Sequence, residues 1–202
     1  AEPYLLGISS GASTGAVIAI LFSTWQYGII FGAAIGALAS FFLLMVLLRK
    51  SAADATRVVL TGVLIGFLFQ SLTSLLVTAS GNAESTRGIM FWLLGVLSAS
   101  RWHTVWTVVI VGTVGMAVLW ALSRFLDALA FGDETAQTMG IPVVTLRYTV
   151  LVAVSLMTAA TVASVGAIGF VGLIVPHAVR MLGGPRHVTL IPLSALLGAI
   201  AL

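Results

Sequence analysis

The sequence predicts an all-α protein, a polytopic transmembrane helical bundle, and three observations carry that expectation. Of 202 residues, 60% are hydrophobic and only 7% charged, where a soluble domain carries roughly 25% charged residues. The few basic residues are segregated between long charge-free stretches. Finally, GAIGFVGLIVPHAVRMLGGPRH (166–187) places Pro176 and His177 inside an apolar run. Burying such residues in hydrocarbon is expensive unless neighbouring helices satisfy them, so the chain reads as a packed bundle and not a single anchor.

Composition also excludes several classes. The formal net charge of +3 rests on too few residues to build a nucleic-acid face, and the lipid bilayer is the first expected partner. The absence of cysteine excludes disulfides and thiolate metal sites. No basic segment followed by a short apolar run and a cleavage site is visible. Ala1 and the apolar final run SALLGAIAL suggest a single transmembrane domain, 1–202, cut from a longer chain at both ends.

A bilayer crossing needs about 20 apolar residues. Between Glu2 and Arg49 lie 46 uncharged residues, enough for two crossings. The aromatic, turn-prone Trp25–Gly28 is the expected break between spans at 6–23 and 29–48. Further spans are expected at 58–79, 102–122, 148–165 and 168–182, with a seventh beginning near residue 190. The piece at 88–98, GIMFWLLGVLS, is too short to cross. It reads as a re-entrant or interfacial helix entered at Gly88 and left at Gly95, with Phe91 and Trp92 able to close an entrance.

Orientation follows from the basic residues. Arg49, Lys50, Arg57, Arg124, Arg147, Arg180 and Arg186 fall on one side, and only Arg87 and Arg101 on the other. Seven against two makes the loops at 49–57, 123–147 and 183–188 cytoplasmic and turns 88–98 outward. Small residues recur at helix-contact spacing: Gly7, Gly11 and Gly15; Gly28, Gly32 and Gly36; Gly62 and Gly66. Without a hydrophobic drive in lipid, such positions let backbones approach closely. Static tight packing is the plainer reading of them, a sliding interface the alternative.

The largest cytoplasmic connection is RFLDALAFGDETAQTMGIPVVTLR, Arg124 to Arg147. Asp133 and Glu134 after Gly132 favour a helix N-terminus, and Gly140 and Pro142 stop the helix about two turns later. A short, delimited cytoplasmic helix suits docking into a groove of a soluble partner, with an ordinary interfacial cap as the alternative. GISSGASTGA at 7–16 offers Ser9 and Ser10 either for helix packing or as polar lining of a pathway. An intramembrane serine protease pairing one of them with His177 would want Gly-x-Ser-Gly, which is absent there. Gln70, Ser71, Thr73 and Ser74 form a polar patch that faces either a cavity or a neighbouring helix. His103, His177 and His187 are too dispersed for a metal site, and His177 reads as a hydrogen-bonded structural residue beside Pro176. A phosphate-binding loop needs Gly-Lys-Ser/Thr, whereas the only lysine, Lys50, follows Leu48-Arg49.

The segments PYLLGISSGA (3–12), RGIMFWLLGVL (87–97) with Trp102, LDALAFGDETAQTMGIPV (126–143), GAIGFVGLIVPHAVRMLGGPRH (166–187) and LIPLSALLGA (190–199) together resemble the FecCD/BtuC-type permeases of ABC importers. That family carries iron-siderophores, haem and vitamin B12. The resemblance implies a ten-helix permease of the bacterial cytoplasmic (inner) membrane, of which this chain holds the third helix to the start of the ninth. It implies a coupling segment at 123–147, with Asp127, Gly132, Asp133, Glu134, Ala136, Met139 and Gly140 meeting the ATPase, and a short periplasmic helix near 88–98. Ser9, Ser10, Gln70, Ser74, Phe91 and Trp92 are the pathway or gate candidates. Arg87 and Arg101 are stand-ins for binding-protein docking residues expected in the preceding region. The implied partners are ATP-binding cassette ATPases, a substrate-binding protein and a second permease copy or paralogue. No cofactor or metal is expected on this chain, and ATP sits on the partner subunits.

The expected role is therefore a transport subunit, not an enzyme, with iron(III)-siderophore as the expected substrate and cobalamin or haem as alternatives. Gly95-Val96-Leu97 departs from the Gly-Ser-Leu of the siderophore branch. An ion-coupled secondary transporter is the alternative of another class. It would want an ionisable residue in mid-membrane, and every Asp and Glu falls between the expected spans. The topology is tested with single cysteines at Ser51, Ser85 and Thr135 and an impermeant thiol reagent on intact cells. Ser85→Cys should label and the other two should not; labelling of Thr135→Cys alone reverses the orientation.

Overall fold

A computed structural model describes residues 6–22, 28–48, 55–80, 83–93, 95, 102–166 and 168–202, without the side chains of 55, 83–85, 91, 92, 103 and 104. Within these, helices are α1 (Ile8–Phe22), α2 (Gly28–Leu48), α3 (Ala55–Ser80), α4 (Ala83–Leu93), α5 (Trp102–Ala121), α6 (Ser123–Leu129), α7 (Asp133–Thr138), α8 (Val143–Val165), α9 (Val171–Gly183) and α10 (His187–Ala201). No strand occurs among the described residues. The all-α bundle expected from composition is the observed architecture.

The centre of the bundle is α1, which packs on α2, α3, α4 and α8. It has only 15 residues, and ten of them, Ile8–Thr14, Ala16, Val17 and Ala19, are buried. A helix buried on nearly all sides needs small residues where neighbours press closest. The α1–α2 contact is antiparallel and runs backbone to backbone. A Cβ on Gly11 would lie 2.5 Å from the Gly36 carbonyl oxygen, and one on Gly32 would lie 2.5 Å from that of Gly15. At the other end Gly7, at φ +70°, meets α3, where an added Cβ would stand 2.7 Å from the Gly62 oxygen and 2.9 Å from the Gly66 nitrogen. The spaced glycines thus line one close helix seam.

Hydroxyl groups reinforce it. Thr14 Oγ1 shares a hydrogen bond with Thr73 Oγ1 at 2.7 Å and also reaches the Phe69 carbonyl at 2.9 Å. Ser40 Oγ donates to the Gly7 carbonyl at 2.8 Å. Side-chain bonds of this kind between membrane helices contribute about 0.6 kcal/mol each. Around the seam, Ile8, Leu44, Leu48, Ile65 and Val162 form the main apolar cluster from α1, α2, α3 and α8. A second, separate cluster of Val175, Val179 and Leu190 joins α9 to α10.

Three described helices, 28–48, 56–80 and 143–165, are long and apolar enough to cross a bilayer. A fourth candidate is α5 with α6, bent by 56° between them. The apolar helices α1, α9 and α10 are shorter; at about 1.5 Å per residue, α1 is about 22 Å long.

Several boundaries differ from expectation because charge-free length was the guide, and helices tolerate charges at membrane surfaces. Helix α8 begins at Val143 after Pro142, not at residue 148, taking Arg147 and Tyr148 into its first turns. Helix α10 begins at His187 and α9 at Val171. Helix α4 begins at Ala83, so Gly88 lies inside it and is not an entry hinge. Gly95, at φ +72°, keeps its role as a stop. Of the gate candidates, Phe91 and Trp92 sit on the α4 backbone, while Arg101 and residues 96–98 lie outside the described residues.

The seam gives a sharp contrast in thermal unfolding of detergent-solubilised protein. Gly11→Ala and Gly32→Ala should each destabilise by about 2 kcal/mol or more, since added volume must displace backbone. Gly112→Ala, whose new Cβ has no neighbour within 4 Å, should be neutral or slightly stabilising.

Candidate functional site

The segment 122–147 folds as a hydrogen-bonded connection between α5 and α8 with one exposed face. Helix α5 bends at Leu122 into α6, and three turn bonds close the chain after it: Ala130 N–H to Asp127, Phe131 N–H to Ala128 and Gly132 N–H to Leu129, all to carbonyls at 3.1–3.2 Å. Gly132, at φ +102° and ψ 156°, is the N-cap of α7, a conformation essentially restricted to glycine. At the other end Gly140 has φ +80°. Its N–H reaches the Gln137 carbonyl at 2.9 Å and Ile141 N–H reaches that of Ala136 at 3.1 Å, the paired bonds of a Schellman stop. The two delimiting glycines therefore do what their spacing predicts.

Ala136 is fully buried and is the inward contact of α7. Asp133 also turns inward, its Oδ1 and Oδ2 accepting from Arg147 Nη2 at 3.0 and 3.2 Å. This ion pair pins the first turn of α7 to α8. Exposed at the tip are Glu134, Thr135 and Gln137, flanked by Phe131 at 74% and Met139 at 62% exposure. Two apolar side chains are thus exposed on either side of a short helix that also exposes a carboxylate.

Asp127 faces a different partner. Its Oδ1 accepts from the His187 backbone N–H at 2.9 Å and pairs with His187 Nδ1 at 2.6 Å. Partial burial by itself raises the carboxyl pKa, but the backbone and ring hydrogen bonds from His187 and the positive charges of His187 and Arg186 outweigh it, so the value falls below the ordinary 3.8.

The sequence-predicted site residues thus fall in separate places. Gly132, Asp133, Glu134, Ala136, Met139 and Gly140 converge on one tip, with only Glu134 and Met139 offering side chains outward. Asp127 turns toward α10. Ser9 and Ser10 are buried within the α1 interfaces, while Gln70 and Ser74 lie on the exposed face of α3 and Arg87 is exposed on α4. His177 is exposed on α9 and makes no hydrogen bond to the described residues, contrary to its expected structural role; the apolar run around it was read as burial. Sequence reasoning missed Phe131, Arg147 and His187. The first could have been found as an aromatic next to the capping glycine of a polar loop, and the others as charge complements of Asp133 and Asp127. No group of three or more metal-binding side chains occurs among the described residues.

The fold and this tip define a polytopic membrane bundle with a short, exposed helix between two of its spans. A model of the FecCD transport family matches residues 1–202, and the chain belongs to that family. It is a multi-pass protein of the cytoplasmic membrane. The cobalamin import system permease protein BtuC of Halobacterium salinarum is 44% identical over 200 residues, covering 98% of this chain and 54% of that protein. The vitamin B12 import system permease protein BtuC of Vibrio cholerae is 35% identical, covering 100% and 61%. The molybdate import system permease protein MolB of Haemophilus influenzae is 33% identical, covering 98% and 59%. The chain therefore spans between 54% and 61% of the length of these relatives. A solved metal-chelate type ABC transporter in an inward-facing conformation superposes with a TM-score of 0.92 at 31% identity, covering 98% of this chain and 64% of that one.

The lowered pKa of Asp127 fixes a pH window. A carboxylate whose folded value is depressed contributes stability that is present above its unfolded value near 3.8 and lost as pH falls through the folded value. Asp127→Asn should therefore lower the unfolding temperature in detergent at pH 7, and the difference should narrow as pH falls from 3.8 through the lowered folded value. A deficit that does not shrink at any pH below 3.8 would contradict the ion pair.

Proposed function

We propose that this chain is the membrane-spanning part of an ABC importer permease, which moves its substrate by alternating access driven by partner ATPases. The observation that carries the reading is the α6–α7 tip: a glycine-delimited helix, pinned to α8 by the Asp133–Arg147 pair, presenting Glu134 between the exposed Phe131 and Met139. A docking helix must pass on displacement without deforming, and a short helix locked at both ends and tied to a 23-residue span meets that need. The chain acts as a transport subunit, with ATP bound and hydrolysed on the ATPases. A second permease copy or paralogue and a substrate-binding protein complete the assembly.

Cobalamin is the substrate we place first, because two of the relatives named above are cobalamin or vitamin B12 permeases, one at 44% identity. A ferric chelate, the expectation from sequence, is second, and the structural likeness to a metal-chelate type transporter favours it. Cobalamin is itself a metal chelate, so the two readings share a bulky, preassembled complex as cargo.

Two measurements test this on the full-length permease, reconstituted with its ATPase and binding protein. Labelled cyanocobalamin should accumulate in vesicles only with ATP; uptake of a labelled ferric siderophore instead moves the substrate to the second reading, and uptake of neither removes both. Glu134→Lys should weaken ATPase co-purification about tenfold, as a charge reversal at an interface does, while the bundle stays folded. Undiminished co-purification and transport would remove the tip from the interface.

A further inference from the structure

The pair α9–α10 has its own apolar cluster and shares no buried residue with the main one. Helix α10 packs on α5 and α6, and its first turn is hydrogen-bonded to both. That turn has two backbone groups without partners inside its own helix. The N–H of His187 is one of the orphan donors of any helix start, and Arg186 at the N-cap supplies no side-chain cap. Pro192, inside α10, has no N–H, so the Val188 carbonyl one turn earlier loses its helical donor. Both groups are satisfied from the α5–α6 bend. Asp127 of α6 accepts from His187 N–H at 2.9 Å and grips the ring at 2.6 Å. Trp120 of α5 donates its Nε1–H to the Val188 carbonyl at 3.1 Å.

We propose that Asp127, Trp120 and His187 form a clasp by which movement of the α6–α7 tip is carried into the α9–α10 pair. The proposal rests on the permease reading above, and it makes these three positioning residues that act within the membrane subunit and not toward the ATPase. A hydrogen bond at an orphan backbone group has no competing partner in the helix, so the contact persists while neighbouring surfaces slide. Because one residue sits on each side of the bend between α5 and α6, a rotation of α6 pulls the start of α10 with it. The separate apolar cluster then moves α9 and α10 together.

The test uses spin labels at the exposed Gln137 of α7 and Leu182 of α9 in the full-length permease, alone and in complex with its ATPase. With the clasp intact, the distance distribution should be narrow and should keep its width when ATP is trapped on the ATPase. His187→Ala and Trp120→Phe should each broaden it, in the permease alone as well as in the complex. His187→Asn, whose amide nitrogen can stand where Nδ1 stood, should restore it. In proteoliposomes His187→Ala should lower labelled cyanocobalamin uptake per ATP hydrolysed about fivefold, the lower end of coupling effects between sites, with ATPase co-purification and basal hydrolysis unchanged. A distance distribution indifferent to both substitutions, or a loss of uptake that only parallels a loss of ATPase binding, overturns the clasp. Failure of the unsubstituted permease to bind an ATPase overturns the permease reading instead, and the label distances in the permease alone still decide the clasp.

Discussion

Backbone-to-backbone contact along α1 is the constraint on which the rest of the bundle depends. In lipid there is no water to expel between helices, so association relies on close fit and on hydrogen bonds. Gly11, Gly15, Gly32 and Gly36 leave the two backbones so near that a single added Cβ would press on a carbonyl of the facing helix. Gly7 does the same against α3. With α1 held on two sides, α8 closes over the seam through Ala159, Val162 and Ala163, and α5 packs in turn on α8. The α6–α7 tip inherits its position from this order, because it lies between α5 and α8.

The acidic residues of that tip show how chemistry is divided within one short segment. Of Asp127, Asp133 and Glu134, two are used internally, one against His187 and one against Arg147. Each holds a joint: α6 to α10, and α7 to α8. Only Glu134 turns outward, between Phe131 and Met139. A segment that must both stay rigid and present a surface has its charges partitioned in this way.

Much of this was legible in the sequence, and the reason differs by element. The helices α1, α2 and α3 follow from charge-free length, and the limits of α7 from Gly132 and Gly140, whose positive φ values are local requirements that a sequence displays openly. The start of α4 was misplaced because Arg87 was taken to bound the apolar piece, whereas a helix at the membrane surface accommodates a charge on its exposed side. The inward turn of Asp133 was not legible, since its partner Arg147 is 14 residues away and meets it only once α7 and α8 are folded. The link from Asp127 to His187, across 60 residues, is likewise a product of the fold. Ser9 and Ser10, for which the sequence leaves packing and pathway lining open, occupy buried positions in α1, where small hydroxyl residues suit a tight helix interface.

The shortness of α1 bears on how the chain enters a membrane. Its 15 residues, ISSGASTGAVIAILF, include four hydroxyl residues and two glycines, and at about 22 Å it falls short of a hydrocarbon core of about 30 Å. Such a segment has little tendency to partition from a translocation channel into lipid by itself. The next helix, 28–48, has a mean hydropathy of 2.5 over its most apolar stretch and partitions readily. Since the two are complementary along the glycine seam, they form one unit of insertion, a helical hairpin in which α2 supplies the affinity for lipid and shields the polar flank of α1. The same glycines that set the packing of α1 against α2 thereby let the more apolar helix hold the shorter one in the bilayer.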